Sequence, residues 1–220
     1  MAIRVFLADD HAVVRDGLRL ILEAQGDIAV VGEAADGREA VLKVGQLGPA
    51  GLDVVVMDIA MPELNGIEAT LRIREACPST EVVILSMHAT SEHIYRALKA
   101  GAKGYLLKES AGKEVVDAVR SVRAGQRYLS QKIADAFFDD FVGRCAAFPE
   151  TSPLERLSDR EREILQLVVE GKSSAAIAKS IHLSPKTVES YRSRLMGKLG
   201  VHNLAGLVRF AIEHGLTRPE

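Results

Sequence analysis

The chain has 220 residues, of which 47% are hydrophobic and 26% are charged, and its net charge at pH 7 is −2. These values are ordinary for a soluble globular protein with one large domain or two small ones. The charge is uneven, because residues 1–152 hold 17 Lys+Arg and 22 Asp+Glu whereas residues 153–220 hold 11 and 8. An acidic body with a mildly basic tail suggests two tasks, the second on a polyanion.

The sequence disfavours a disulfide-bonded or cysteine-metal protein, and it also disfavours a secreted or membrane-spanning one. Cys77 and Cys145 have no CxxC or paired spacing, so free thiols in a reducing cytosol are favoured over a disulfide or a metal site. The first residues reach charge too early for a signal peptide, and no apolar run approaches the length of a membrane span. We therefore expect a cytoplasmic protein.

Over the first 125 residues or so, short apolar runs alternate with amphipathic stretches. The runs are Ile3–Ala8, Ile28–Glu33, Val54–Met57, Val82–Leu85 and Gly104–Leu107. The amphipathic stretches, which predict helices, are at about 11–25, 37–47, 66–76, 91–100 and 110–124. Runs rich in Val, Ile and Leu are typical of strands buried on both faces. Five such units predict an α/β fold with a doubly wound, five-stranded parallel sheet.

Polar side chains follow four of these strands. They are Asp9, Asp10, Asp58, Ser86 and Lys108. Each alone is more often structural, for example a solvated loop residue or a helix N-cap. Because the carboxyl ends of parallel strands share one edge, we expect all five to line one crevice. Three carboxylates there call for a divalent cation, and hard oxygen ligands suit Mg²⁺ with a phosphoryl group.

The second half of the chain changes character. Residues 126–153 are predicted to be a linker with one helix over Ser130–Val142, and residues 154–220 contain four compact helical patterns without a strand. The first helix has a capping box at Ser158 and Glu161. Ser184 and Pro185 are an N-cap and a first helical position for the third helix.

The ordered set of Asp9-Asp10, Asp58-Ile-Ala-Met-Pro62, Asn65-Gly66, Ser86 and Gly104-Tyr-Leu-Leu-Lys108 resembles the receiver domain of two-component response regulators. The resemblance covers residues 1–125 and implies a CheY-like sheet with strand order 2-1-3-4-5. It implies that Asp58 accepts a phosphoryl group from a sensor histidine kinase, with Lys108 and Ser86 bound to the phosphoryl oxygens. Mg²⁺ would be held by the three aspartates and the backbone carbonyl of Ala60. Tyr105 would be a switch residue, although a ring packed at a strand edge explains it equally well.

The tail resembles the LuxR/NarL-type helix-turn-helix, from Leu157-Ser-x-Arg-Glu-x-Glu163 through Ser184-Pro-Lys-Thr-Val188 to Lys198-Leu-Gly-Val201. The third helix would then enter the major groove of promoter DNA. Phosphate contacts are expected from Lys186, Thr187, Tyr191 and Arg192, and Arg194 shares their exposed face. Base edges are expected to meet Glu189, Ser190 and Ser193, where Glu189 would accept from a cytosine amino group. The last helix would pair two DNA-bound subunits through Leu204, Leu207, Val208 and Ala211, unless these residues pack on their own domain.

The sequence therefore predicts a phosphorylation-controlled, DNA-binding transcription regulator that is not an enzyme. Its expected partners are a sensor kinase, double-stranded promoter DNA, a second copy of itself when active and, in addition, RNA polymerase. The alternative is a regulator that ignores phosphorylation and keeps the pocket as structure. An aspartyl phosphohydrolase is disfavoured because Ala60 stands where such enzymes commonly carry a second aspartate. A flavodoxin-like carrier is disfavoured because Asp9 and Asp10 would repel a flavin phosphate.

Overall fold

The computed structural model describes residues 2–48, 50–87, 90–135, 153–214 and 216–217. The chain divides into two compact units, Met1–Ala146 and Ala147–Glu220. No helix in these described ranges is long and apolar enough to cross a lipid bilayer.

The first unit alternates strands and helices, as the sequence predicts. The strands are β1 (Ile3–Ala8), β2 (Ile28–Ala34), β3 (Val54–Asp58), β4 (Glu81–Ser86), β5 (Gly104–Leu107) and β6 (Tyr128–Leu129). The helices are α1 (Ala12–Glu23), α2 (Gly37–Leu47), α3 (Gly66–Ala76), α4 (Ser91–Lys99) and α5 (Ala111–Arg123). All neighbouring strands are parallel, in the order β2-β1-β3-β4-β5-β6. The predicted order of the first five strands is therefore confirmed.

The sixth strand is an addition to the predicted five. Tyr128 and Leu129 pair with Gly104 and Tyr105 of β5, and the Ser130 backbone N–H donates to the Tyr105 carbonyl at 3.2 Å. A two-residue strand leaves no hydrophobic period in the sequence, so pattern analysis could not find it.

The first unit also includes the start of the predicted linker. Residues 131–135 are helical, and Ile133 is fully buried in the same hydrophobic cluster as Tyr105. Packing in this unit therefore continues beyond the predicted boundary at residue 125. The rest of the predicted helix over Ser130–Val142 lies outside the described residues.

Hydrophobic clusters cover both faces of the sheet. Successive residues of a strand point to opposite faces, so Phe6 belongs to one cluster and Leu7 to the other. Every residue of β3 is buried. This two-sided burial explains why β3 is a continuous apolar run whose polar residue, Asp58, stands at its end.

Among the described residues of the second unit, a 3₁₀ turn at Pro153–Arg156 is followed by four α-helices. They are α6 (Asp159–Val169), α7 (Ser174–Ser180), α8 (Pro185–Leu199) and α9 (Leu204–Glu213). The predicted capping box of α6 is present. Ser184 caps α8 through the Thr187 N–H, and the residue that follows the helix, Gly200, has a φ of 65°, which favours glycine. A third hydrophobic cluster joins these helices.

Candidate functional site

The predicted acidic residues and the lysine meet at the carboxyl edge of the sheet. β1 and β3 are neighbours with Ala8 opposite Met57, so Asp9 and Asp58 leave the sheet side by side. Lys108 Nζ lies 2.6 Å from Asp9 Oδ2 and 2.9 Å from Asp58 Oδ2. The side chains of Lys108, Asp9 and Asp58 are only 9%, 1% and 1% exposed. One buried ammonium thus bridges two buried carboxylates.

Asp10 and His11 complete this cluster on its solvent side. Ligand atoms of Asp9, Asp10, His11 and Asp58 all lie within 4.8 Å of one another. His11 Nδ1 is 2.7 Å from Asp10 Oδ1, and the His11 backbone N–H donates to Asp9 Oδ1 at 2.9 Å. The sequence analysis missed His11, although its position at the N-cap of α1, directly after two aspartates, was the available indication.

The chemistry of this cluster fits Mg²⁺. Its carboxylates are the hard oxygen ligands that this ion prefers. Among the described residues, none donates a hydrogen bond to the buried Asp9 Oδ2, whose close neighbour is the Lys108 ammonium at 2.6 Å. Three carboxylates against one ammonium leave an excess of negative charge for a dication. Ala60, whose carbonyl was predicted as a fourth ligand, lies in the bend just after β3.

The turn after β3 depends on Gly66. A Cβ added there would lie 1.9 Å from the Asp58 carbonyl oxygen, so only glycine lets α3 begin this close to the aspartate. Asn65 caps the helix by accepting from the N–H groups of Ile67 and Glu68. The Asn65-Gly66 pair therefore fixes the backbone on one side of Asp58.

Ser86 and Tyr105 form a second, hydroxyl-lined part of the site. Ser86 ends β4 and is buried, and the Lys108 backbone N–H donates to its carbonyl at 2.8 Å. Tyr105 is fully buried on β5. Burial raises the pKa of the Tyr105 hydroxyl, the hydrogen bond with Ser86 opposes this, and the negative charge of Asp58 adds to it. The two hydroxyls are therefore linked beside Asp58.

The predicted DNA-binding residues lie along α8. Its inward side carries Val188 and Leu195, which are fully buried. The predicted contact residues are exposed or partly exposed, namely Lys186, Thr187, Glu189, Ser190, Tyr191, Arg192, Ser193 and Arg194. The Arg194 guanidinium stacks 5.3 Å from the Tyr191 ring centroid. The face is hydrophilic and carries three cationic groups, those of Lys186, Arg192 and Arg194.

The structure divides the predicted dimer face of α9. Leu207 and Ala211 are 1% and 0% exposed inside the domain core, so they pack on their own domain. Leu204 is 49% exposed and Val208 is partly exposed. Only Leu204 and Val208 of the predicted set remain accessible to a partner.

Comparisons with known proteins match both units. A model of the response regulator receiver domain matches residues 5–120, and a model of bacterial regulatory proteins of the luxR family matches residues 155–211. Response regulator UvrY of Escherichia coli is 39% identical over 218 residues, covering 99% of this chain and 97% of that protein. Oxygen regulatory protein NreC of Staphylococcus carnosus is 39% identical over 216 residues, covering 97% of this chain and 98% of that protein.

Solved structures agree with these relatives. RcsB of Salmonella enterica serovar Typhimurium, bound to promoter DNA in the presence of the phosphomimetic BeF₃⁻, matches with a TM-score of 0.62 and 27% identity over 98% of each chain. A LuxR-family two-component response regulator from Aurantimonas sp. matches with a TM-score of 0.61 and 38% identity, covering 64% of this chain and 99% of that one. Because both domain models match in order and the relatives align over nearly their whole length, the chain belongs to the NarL/FixJ family of two-component response regulators, with a receiver domain and a LuxR-type DNA-binding domain.

Proposed function

We propose that this response regulator is a transcription regulator, and not an enzyme, whose DNA binding is controlled by phosphorylation of Asp58 by a sensor histidine kinase. The observation that carries the proposal is the bridge from Lys108 Nζ to Asp9 and Asp58, 2.6 and 2.9 Å long, in a buried pocket. A carboxylate held beside an ammonium at the sheet edge is suited to phosphoryl transfer, which depends on positioning and charge neutralisation.

In the proposed reaction, an Asp58 carboxylate oxygen attacks the phosphorus of a phosphohistidine on the kinase. The new O–P bond forms as the P–N bond breaks, and the departing imidazole takes up a proton. Lys108 offsets the incoming charge. Asp9, Asp10, Asp58 and the Ala60 carbonyl would hold Mg²⁺, which supplies further positive charge to the phosphoryl oxygens.

The switch would follow from a change of hydrogen-bond partner. The Ser86 hydroxyl, now bonded to that of Tyr105, would turn to the phosphoryl group and release the tyrosine. That release would bias a two-state equilibrium of the receiver. A structure of RcsB dimers on DNA, 27% identical to this chain, supports a dimer with twofold symmetry as the active form. A sensor kinase and promoter DNA as partners, with RNA polymerase as a further one, imply a cytoplasmic location.

The acceptor is tested by labelling with acetyl phosphate and Mg²⁺, followed by intact mass spectrometry. We expect one phosphoryl group on the wild type and on Asp117→Ala, a control at an exposed aspartate of α5. Asp58→Ala should take up none. Labelling of Asp58→Ala to the wild-type level would refute the assignment of Asp58.

The alternative, a pocket without a regulatory role, is tested by DNA affinity with and without beryllofluoride. Phosphorylation control predicts tighter binding with beryllofluoride and no effect of this reagent on Asp58→Ala. Equal affinity in all four measurements would favour the phosphorylation-independent regulator.

A further inference from the structure

A chain of three polar side chains joins α7 to the exposed face of α8. Arg192 Nη1 donates to Ser174 Oγ at 3.0 Å, and the Ser174 hydroxyl in turn donates to Glu189 Oε1. The same Arg192 nitrogen lies 3.6 Å from Glu189 Oε1. Ser174 therefore links the arginine and the glutamate of the predicted recognition helix from a neighbouring helix.

Helix capping does not account for Ser174. The N-cap of α7 is the preceding residue, Ser173, whose hydroxyl accepts from the Ala176 N–H at 3.2 Å. Ser174 is the first residue of the helix and is partly exposed. Its hydroxyl bonds instead with Glu189 and Arg192, so this bond serves the position of those side chains.

The chain of contacts also limits the penalty for a carboxylate on a surface that faces DNA. An unpaired carboxylate near phosphates is repelled by them. Here Arg192 and Ser174 both act on Oε1 and offset its charge. Hydrogen bonds that donate in one direction along a chain also strengthen one another. Glu189 can thus approach a polyanion in a fixed rotamer.

The second carboxylate oxygen is available for recognition. Among the described residues, nothing donates to Glu189 Oε2, and the side chain is 59% exposed. In the major groove only cytosine presents an amino donor without an adjacent acceptor, since adenine adds N7 beside its amino group. A carboxylate oxygen therefore favours the cytosine of a C·G pair.

We propose that Ser174 is a positioning residue for sequence recognition, which, with Arg192, holds Glu189 so that Oε2 accepts from a cytosine amino group. The proposal rests on the proposed function, because it requires α8 to lie in the major groove. It extends the set of specificity determinants from the recognition helix to the first residue of α7.

The test uses the full-length chain with beryllofluoride and a randomised double-stranded DNA library. Selection with wild type and with Glu189→Ala identifies the base pair whose preference depends on Glu189. Dissociation constants are then measured on four duplexes that differ only at that pair. The variants are Ser174→Ala, Ser174→Thr, which keeps the hydroxyl, and Ser180→Ala, a control serine on the same helix that donates to the Ile177 carbonyl.

Wild type should prefer C·G at that pair by about tenfold or more, as expected for a good base contact. Ser174→Ala should reduce this preference by about three- to tenfold, the size of one hydrogen bond. Ser174→Thr should restore it, and Ser180→Ala should match the wild type. Because serine carries no charge, the salt dependence of binding should not change.

The contrary outcomes separate the two proposals. If the wild type selects no sequence, the proposed function fails and this inference fails with it. If Glu189→Ala loses base preference while Ser174→Ala keeps it, the inference alone is wrong. If Ser174→Ala weakens all four duplexes equally, the serine contacts the backbone or maintains the fold, which also overturns a positioning role.

Discussion

Replacing Lys108 by methionine tests whether the carboxylates of Asp9 and Asp58 repel each other and destabilise the receiver when the ammonium between them is removed. The ligand atoms of Asp9 and Asp58 lie within 4.8 Å of each other. Two unit charges at that separation repel by about 3.5 kcal/mol at an effective dielectric constant of about 20. Removing one partner from a buried ion pair typically costs about 3–5 kcal/mol. We therefore expect Lys108→Met to destabilise the receiver by about 3–5 kcal/mol without Mg²⁺.

The same reasoning predicts a larger effect of Mg²⁺ on the variant. A dication among the carboxylates replaces the missing positive charge, whereas in the wild type it must also approach the Lys108 ammonium. The stabilisation by saturating Mg²⁺ should therefore exceed that of the wild type by about 1–3 kcal/mol. The excess should decrease in high salt only slightly, because buried charges are poorly screened.

Hydrogen exchange of the β3 amides, Val54–Asp58, is the appropriate measurement. It reports the opening free energy of this unit separately, whereas a global melt would mix two domains. Lys113→Met is the matched control, because Lys113 is exposed on α5 and its loss should change little. Equal β3 protection in Lys108→Met and wild type, or equal gains from Mg²⁺, would refute the argument from charge balance.

Two further predictions concern stability. Ile133→Ala should lower the opening free energy of β5 by about 2–5 kcal/mol, because it leaves a cavity at a fully buried position in the cluster that contains Tyr105. Amide exchange of β5 equal to that of the wild type would show that residues 131–135 do not stabilise this strand. At the other end of the sheet, hydrogen bonding from the Arg4 side chain lowers the pKa of Asp53 below its ordinary 3.8. A group whose pKa is lowered on folding stabilises the folded state at pH values above its ordinary pKa. This stabilisation is lost as the pH falls through the folded-state pKa. Asp53→Asn should therefore make the stability of this unit depend less on pH below the ordinary pKa, measured as the opening free energy from exchange of the β3 amides between pH 6 and about 2. A pH dependence equal to that of the wild type would contradict the assignment.

The receiver pocket could be predicted from sequence because two simple rules fix it. Buried parallel strands produce apolar runs that are visible without an alignment, and their carboxyl ends meet at one edge. Asp9, Asp58 and Lys108 each follow such a run directly, so the strand assignments alone bring them together. The helix caps at Ser158 and Ser184 were predictable for a similar reason, because local hydrogen bonds depend on local spacing.

Contacts between elements without a periodic pattern were not predictable. The β6 strand has only two residues, and His11 joins the acidic cluster through a side-chain rotamer that no spacing rule gives. The Ser174 bond to Glu189 joins two helices across a turn, so neither helix alone indicates it. On α9, helical periodicity found the apolar face but could not show that Leu207 and Ala211 fill the domain's own core.

Tyr105 connects the pocket around Asp58 with the residues that follow β6, so a structural change at the pocket can extend to them. Its hydroxyl bonds with Ser86, while its carbonyl accepts from the Ser130 N–H at the start of the linker. Its ring packs in the same cluster as Ile133. A ring that loses its hydroxyl partner in a close-packed core must be accommodated by its neighbours, because such cores do not deform continuously. Tyr105, whose hydroxyl feels the charge of Asp58, is therefore also bonded through its carbonyl to the chain that follows β6.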